Sequence, residues 1–406
     1  MFDIISIVIK ENDMRKNVKD FELKNKKVVL RCDLNVPIKN GIITDDTRIK
    51  ASLKTINYIL KKGASIVILS HLGKIKEESD LEKNNLYPVS LRLSELLGKK
   101  VKFSKDTRSK ELTNMAKNLI PGEILLVQNT RYEDLKGKKE SGCDLKLASY
   151  WASLGEIFIN DAYGTMHRAH ASNVGICKFL PSGLGFLPEE EITKIDSLIN
   201  ENTNPYIVIM GGAKVSDKIK VIENLITKCD KLLVGGAMAY TFLKAKGYNI
   251  GKSILDSDSI TFCQNILTNY PDKLILPVDS KVASSMDTTD IKLRNIEEMK
   301  DEDIGLDIGP KTIELFQKNL KDAKRVIMNG PMGLFENPNY SNGTKSIYDY
   351  LTQKNIKTLV GGGDSAASVK LLSNPEKFYH ISTGGGATLE YLEGTPLPGI
   401  SAIDEK

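Results

Sequence analysis

The sequence predicts an α/β fold built as two doubly wound, parallel-sheet (Rossmann-like) domains separated by a cleft and a hinge. Three observations carry this. The chain has 406 residues, whereas single hydrophobic cores stop growing at roughly 250–300 residues. Short runs rich in Val, Ile and Leu recur between stretches of helical spacing, the pattern of parallel strands alternating with helices. Finally, the Pro/Gly cluster Leu180-Pro181-Ser182-Gly183-Leu184-Gly185 precedes an acidic helical segment, Glu189–Leu198, and reads as the hinge.

In chain order, the runs of the first half are Val28–Leu30, Ser65–Leu69, Glu123–Val127 and Glu156–Ile159. Between the first two, Thr47–Lys62 carries Ile49, Leu53, Ile56, Ile59 and Leu60 at helical spacing. The second-half runs are Tyr206–Met210, Lys231–Val234, Lys273–Val278, Arg325–Met328, Lys357–Val360 and Phe378–Ser382. The division that follows is residues 1–181, residues 182–395 beginning with the hinge helix, and a terminal segment 396–406. Residues 1–13 read as an extension ahead of a natural start at Met14.

Composition narrows the function. With 41% hydrophobic and 27% charged residues, and no apolar run near the roughly 18–20 residues of a spanning helix, the expectation is a soluble protein without a membrane partner. A secretory signal is not expected, because no basic region precedes the apolar start. Five scattered cysteines without C-x-x-C spacing fit a reducing cytoplasm and give no zinc site. The net charge of +5 is dispersed, which suits small anions and shows no nucleic-acid stripe.

Ligands of open parallel sheets bind beyond the carboxyl ends of the strands. In the first half those ends are Arg31-Cys32-Asp33-Leu34-Asn35, Ser70-His71-Leu72-Gly73-Lys74, Gln128-Asn129-Thr130-Arg131 and Asn160 through His167-Arg168. A single arginine there is as readily a solvated charge, but four cationic ends point to a small acid with more than one negative group. In the second half the ends are Gly211-Gly212-Ala213-Lys214, Gly235-Gly236-Ala237, Asn329-Gly330-Pro331-Met332-Gly333, Gly361-Gly362-Gly363-Asp364-Ser365 and Gly384-Gly385-Gly386. Isolated glycines are usually turns, yet five clusters before helices offer backbone N–H groups to a nucleotide's phosphates. Asp364 is then the natural Mg²⁺ ligand, since magnesium on phosphates needs only one or two carboxylates.

Three motifs are set aside. Gly247 to Ser253 has three residues between its glycines where a P-loop needs four. Gly183-Leu184-Gly185 lacks the third glycine of the dinucleotide fingerprint. His167-x-x-His170 has no further ligands nearby and reads as polar support for Arg168.

These residues, in the order Leu30–Pro37, Gly164–Ser172, Gly211–Lys218, Asn329–Glu336, Gly361–Ala367 and Ser382–Glu390, resemble those of the phosphoglycerate kinases, from about Met14 to Ala402. The resemblance implies a glycolytic and gluconeogenic phosphotransferase with ATP/ADP as substrate and Mg²⁺ as cofactor, acting as a cytoplasmic monomer. It implies 3-phosphoglycerate binding by Asp33, Asn35, Arg48, His71, Leu72, Gly73, Lys74, Arg131 and Arg168. Nucleotide contacts would come from Lys214, Lys218, Gly305, Asn329, Glu336 on the ribose, Gly362, Gly363, Asp364 and Ser365, with Gly235–Phe242 near the adenine. Lys74 stands where the family usually has arginine, which keeps charge but loses the bidentate fork. Gln128 stands for the usual Glu and Ser365 for the common Thr.

The implied reaction passes a phosphoryl group in line between 1,3-bisphosphoglycerate and ADP. Both attacking groups are already ionised, so no general base is needed and positioning with charge stabilisation suffices. Arg48, Lys214 and the amides of Gly385 and Gly386 are expected on the transferring group, with hinge closure around Pro181–Leu198. The segment Thr395–Ile400 is expected, by the same resemblance, to return to the first domain. A catalytically silent anion or nucleotide binder, and a kinase for another small carboxylate, remain as alternatives.

Overall fold

A computed structural model describes residues 15–406; the expectation for residues 1–13 lies outside the described residues. Two compact units emerge. One comprises the described chain up to Thr193 together with Pro396–Lys406, and the other is Lys194–Thr395.

The first unit is organised on six parallel strands: β1 (Lys27–Arg31), β2 (Ser65–Leu69), β3 (Val101–Phe103), β4 (Ile124–Leu126), β5 (Ile157–Asn160) and β6 (Ser182–Leu184), in the order β3-β4-β2-β1-β5-β6. The chain moves outward on one side of β1 and then reverses to the other, which puts the switch point beside β1. Register keeps the strand ends level: Arg31 of β1 stands between Leu69 of β2 and Asn160 of β5. Val28, Leu30, Ile66, Ile68 and Ile159 form the core with Ile49, Ile56 and Ile59 of the helix Thr47–Lys61. Each of these helix residues contributes about 1.5–3 kcal/mol by burial, and the apolar stripe they make fixes Arg48 in the first turn.

Residues 182–193 belong to this first unit, a correction to the expected boundary at 181. The cause is local. β6 pairs with β5 from Phe158↔Ser182 to Asn160↔Leu184, and Phe186 packs into the first core. The passage between units falls inside the helix Phe186–Asn200, so the Pro/Gly cluster forms an edge strand and not the crossing itself.

The second unit repeats the plan with β7 (Tyr206–Met210), β8 (Lys231–Val234), β9 (Leu274–Ile275), β13 (Arg325–Asn329), β14 (Lys357–Gly361) and β15 (His380–Ile381), all parallel, in the order β9-β8-β7-β13-β14-β15. The run Lys273–Val278 yields only the short β9, because Pro277 has no N–H for the ladder. Between β9 and β13 lies an antiparallel sheet that the sequence does not announce: β10 (Asp279–Ala283), β11 (Lys292–Asn295) and β12 (Ile304–Ile308), ordered β11-β10-β12. Asp279 and Lys281 in β10, and Lys292 and Arg294 in β11, interrupt the apolar pattern by which a strand is recognised.

Candidate functional site

In the first unit the cationic strand ends are built from behind. Arg31 is wholly buried and donates from Nε to Ser172 Oγ at 2.8 Å. It therefore supports the site without offering its charge to solvent. Asp33, also buried, accepts from Arg48 Nη1 at 2.7 Å. Asn35 Oδ1 takes the Gly73 N–H at 2.9 Å, and Asn129 holds the neighbouring turn by accepting from Leu72 N at 3.1 Å and donating to its carbonyl. Gly73 sits at φ +59°, where a Cβ would lie 2.2 Å from Asn84 Oδ1, so a side chain there would be strained and would have to displace Asn84.

Arg131 pairs with Asp134 at 2.6 Å, while its buried Nε has no acceptor among the described residues. An orphaned guanidinium N–H costs free energy unless something accepts from it, which suits an anion site. Arg168 donates from Nε to His167 Nε2 at 3.0 Å, the propping role expected of that histidine. Lys74 is exposed and lines a groove with Lys76, Arg131, Asp134, Lys138 and Ser141. Burial, reinforced by neighbouring arginines, holds the histidines neutral: His71 falls well below 6.5, His167 to about 4 and His170 to about 3. No group of His, Cys, Asp or Glu among the described residues could by itself hold a metal.

The second unit presents a cleft of about 180 Å³ whose lining includes Gly212, Gly236, Gly305, Met332, Phe335, Glu336 and Asp364. Its floor is the junction of β7 and β13. Gly236, at φ +63°, lets the chain after β8 approach so closely that a Cβ would stand 2.6 Å from Gly212 N and 2.7 Å from Pro331 O. Gly305 of β12 lies against Tyr240, whose hydroxyl is 2.6 Å from Ser280 Oγ. An apolar slot with a carboxylate at Glu336 and another at Asp364 can take a purine nucleoside with its phosphates.

The expected nucleotide contacts divide into two groups. Gly305, Glu336 and Asp364 line the cleft, and Lys214 is exposed one residue beyond its lining at Ala213. Gly363 and Asp364 open the helix Gly363–Leu372 after Gly362, while Gly386 opens the seven-residue helix Gly386–Leu392 after Gly385. By contrast, Lys218, Asn329 and Ser365 are buried and committed to backbone partners. The Lys218 ammonium donates to the carbonyls of Gly211 and Asn329, Asn329 Nδ2 donates to Gly361 O at 3.0 Å, and Ser365 Oγ accepts from Gly330 N at 2.6 Å. They shape the glycine loops from below. Burial lowers Lys218 to about 8 despite the attraction of Asp364. Asp364, exposed and alone, fits Mg²⁺ that arrives on phosphates with its own waters.

Sequence reasoning missed Met286 and Ile254 in the cleft wall, because the antiparallel sheet and its flanks gave no recognisable pattern, and it placed Pro277 in a strand run without a role in the site. It also passed over Glu140, a wholly buried carboxylate in a polar loop.

Fold and site together define an α/β phosphotransferase, with side-chain cations at the strand ends of one sheet and backbone amides at those of the other. A family model described as phosphoglycerate kinase matches residues 18–395. Curated relatives of that name include those of Enterococcus faecalis, 50% identical over 396 residues, and Listeria innocua, 51% identical over 395 residues; each alignment covers 97% of this chain and 100% of the relative. Among solved structures, phosphoglycerate kinase from Coxiella burnetii matches with a TM-score of 0.85 at 35% identity, covering 96% of this chain and 98% of that one. The enzyme from Pyrococcus horikoshii matches at 0.82 and 32%, covering 95% and 98%. The chain belongs to the phosphoglycerate kinase family.

Proposed function

We propose that this chain catalyses reversible phosphoryl transfer from 1,3-bisphosphoglycerate to ADP, giving ATP and 3-phosphoglycerate, a step of glycolysis and gluconeogenesis. The observation that carries the reading is the cradle of Arg48, Arg131 and Arg168 around histidines held neutral. It supplies charge for a phosphorylated acid, and histidines this reluctant to take a proton are poor bases, of which a reaction between ionised groups has no need. Asp33, Asn35, His71, Leu72, Gly73 and Lys74 complete the assigned acid site. The nucleotide is assigned to Gly305, Glu336, Gly362, Gly363 and Asp364, with Lys218, Asn329 and Ser365 holding the loops. Arg48, Lys214 and the Gly385 and Gly386 amides are assigned to the charge of the transferring group.

Asp364 would hold Mg²⁺, which neutralises charge on the nucleotide phosphates when bound. The protein is read as a monomer acting on small molecules, and as cytoplasmic, a location that five free cysteines support. A coupled assay with Mg-ATP and 3-phosphoglycerate, run against other small carboxylates, tests the function. Turnover with 3-phosphoglycerate is expected. Binding without turnover, or faster turnover of another acid, overturns it.

A further inference from the structure

Behind the acid cradle runs a chain of polar groups that the reaction itself does not use. Arg31, Glu140 and Ser172 are wholly buried. The Glu140 carboxylate accepts from the Ser172 hydroxyl through Oε1 and from Ser172 N at 3.0 Å through Oε2, while its own carbonyl takes the Ala171 N–H at 2.9 Å. A hydroxyl has one proton to give, so Ser172 Oγ, donating to Glu140, accepts from Arg31 Nε at 2.8 Å. The far side of Arg31 meets His71, with Nη2 at 3.4 Å from Nδ1. A guanidinium has no acceptor, which leaves Nδ1 as the lone-pair nitrogen and puts the ring proton on Nε2.

With Glu140 ionised, as the Arg31 charge and the two Ser172 hydrogen bonds favour against the upward push of burial, each link admits one assignment of protons, from a buried carboxylate to a ring in the cradle. Stability does not account for keeping the pair, since replacing buried ions by apolar groups of similar size is often neutral or stabilising. Orientation does account for it. Glu140 also fastens residues 171 and 172, the stretch that follows Arg168.

We propose that Glu140 is a positioning residue for the acid site: through Ser172 and Arg31 it holds His71 as the Nε2–H tautomer, and it anchors the turn that carries Arg168. The inference rests on the reading of this cradle as the 3-phosphoglycerate site. Its test uses Glu140→Gln and Ser172→Ala in the full chain, with two readouts.

In steady-state kinetics both variants raise KM for 3-phosphoglycerate by about tenfold or more and leave KM for Mg-ATP within about twofold. In long-range ¹H–¹⁵N spectra the His71 ring, assigned among four histidines with the help of His71→Gln, shows a single Nε2–H pattern in the parent chain and mixed tautomers in both variants. Folded variants with an unchanged KM for the acid, or with both KM values moving together, overturn the proposal. If Glu140→Gln does not fold, Ser172→Ala decides by the same measures. If the parent chain does not turn over 3-phosphoglycerate, the functional reading fails, and the His71 spectra still decide this inference.

Discussion

On the proposed assignment the two units solve the same problem, holding a polyanion at the ends of a parallel sheet, with opposite materials. In the first, the groups that would meet the ligand are guanidinium side chains, each held by a side-chain partner: Arg48 by the buried Asp33, Arg131 by Asp134, Arg168 by His167. In the second they are main-chain amides exposed by missing side chains, and the lysine at the strand junction is turned inward onto carbonyls. The first unit is therefore vulnerable to the deletion of charge. The second is vulnerable to the addition of a single carbon.

The largest expected effect tests the first half of that contrast. Arg48→Ala should lower kcat by roughly 10³–10⁵, the range for a cation that stabilises a transferring phosphoryl group, in the coupled assay at saturating substrates. Near-parental turnover would remove Arg48 from that role. Next comes the carbon. Gly236→Ala places a Cβ against two backbones at a left-handed φ, and should cost about 1–3 kcal/mol of stability and roughly 10²-fold in kcat/KM for the nucleotide, with KM for 3-phosphoglycerate unmoved. An equal loss on both substrates would mean that the units are not separable in this way.

A smaller effect sharpens the charge side. Lys74→Arg restores a bidentate fork, and one added charged hydrogen bond should lower KM for 3-phosphoglycerate by roughly fivefold at similar kcat; an unchanged or weaker KM would place Lys74 off the phosphate. The smallest is a difference in pH response. Lys218, at about 8, is a cation below that pH and neutral above it, so KM for the nucleotide should rise as the pH passes from about 7 to 9. His167, at about 4, and His170, at about 3, have already lost their protons by about pH 5, and burial shifts His71 in the same direction. Hence, once the substrate phosphate's own titration near about pH 6 is allowed for, KM for the acid should stay flat from about pH 5.5 to 8, and a remaining histidine-like inflection near 6.5 would show the cradle to be more open than its burial implies.

Much of this was legible in the sequence because parallel strands buried on both faces leave uninterrupted apolar runs. Ser65–Leu69, Tyr206–Met210 and Lys231–Val234 coincide with strands residue for residue. The glycines and cations that follow them stand out by position alone. What escaped did so for physical reasons. β10 and β11 carry charged residues within the strand, and their pairing depends on one another across a distance that no local pattern records. Likewise, Lys218, Asn329 and Ser365 have the chemistry of ligand groups; only the fold reveals that carbonyls and amides of neighbouring loops satisfy them first. Glu140 drew no notice in the sequence, because nothing local records that the fold buries it under Ser172.

The course of the chain has one more consequence. The segment Pro396–Lys406, made after the whole second unit, closes the first: Asp404 binds Ser182 on the edge strand through both its N–H and its hydroxyl, Lys16 N donates to Asp404 O, and Gly399 N donates to Met166 O. During synthesis the half that leaves the ribosome first must wait for its Asp404 and Gly399 contacts until residues 396–406 emerge, although Lys16 and Asn17 already lie along its edge strand. The order of manufacture and the order of completion are reversed, and the second unit can finish folding while the first still lacks its last segment.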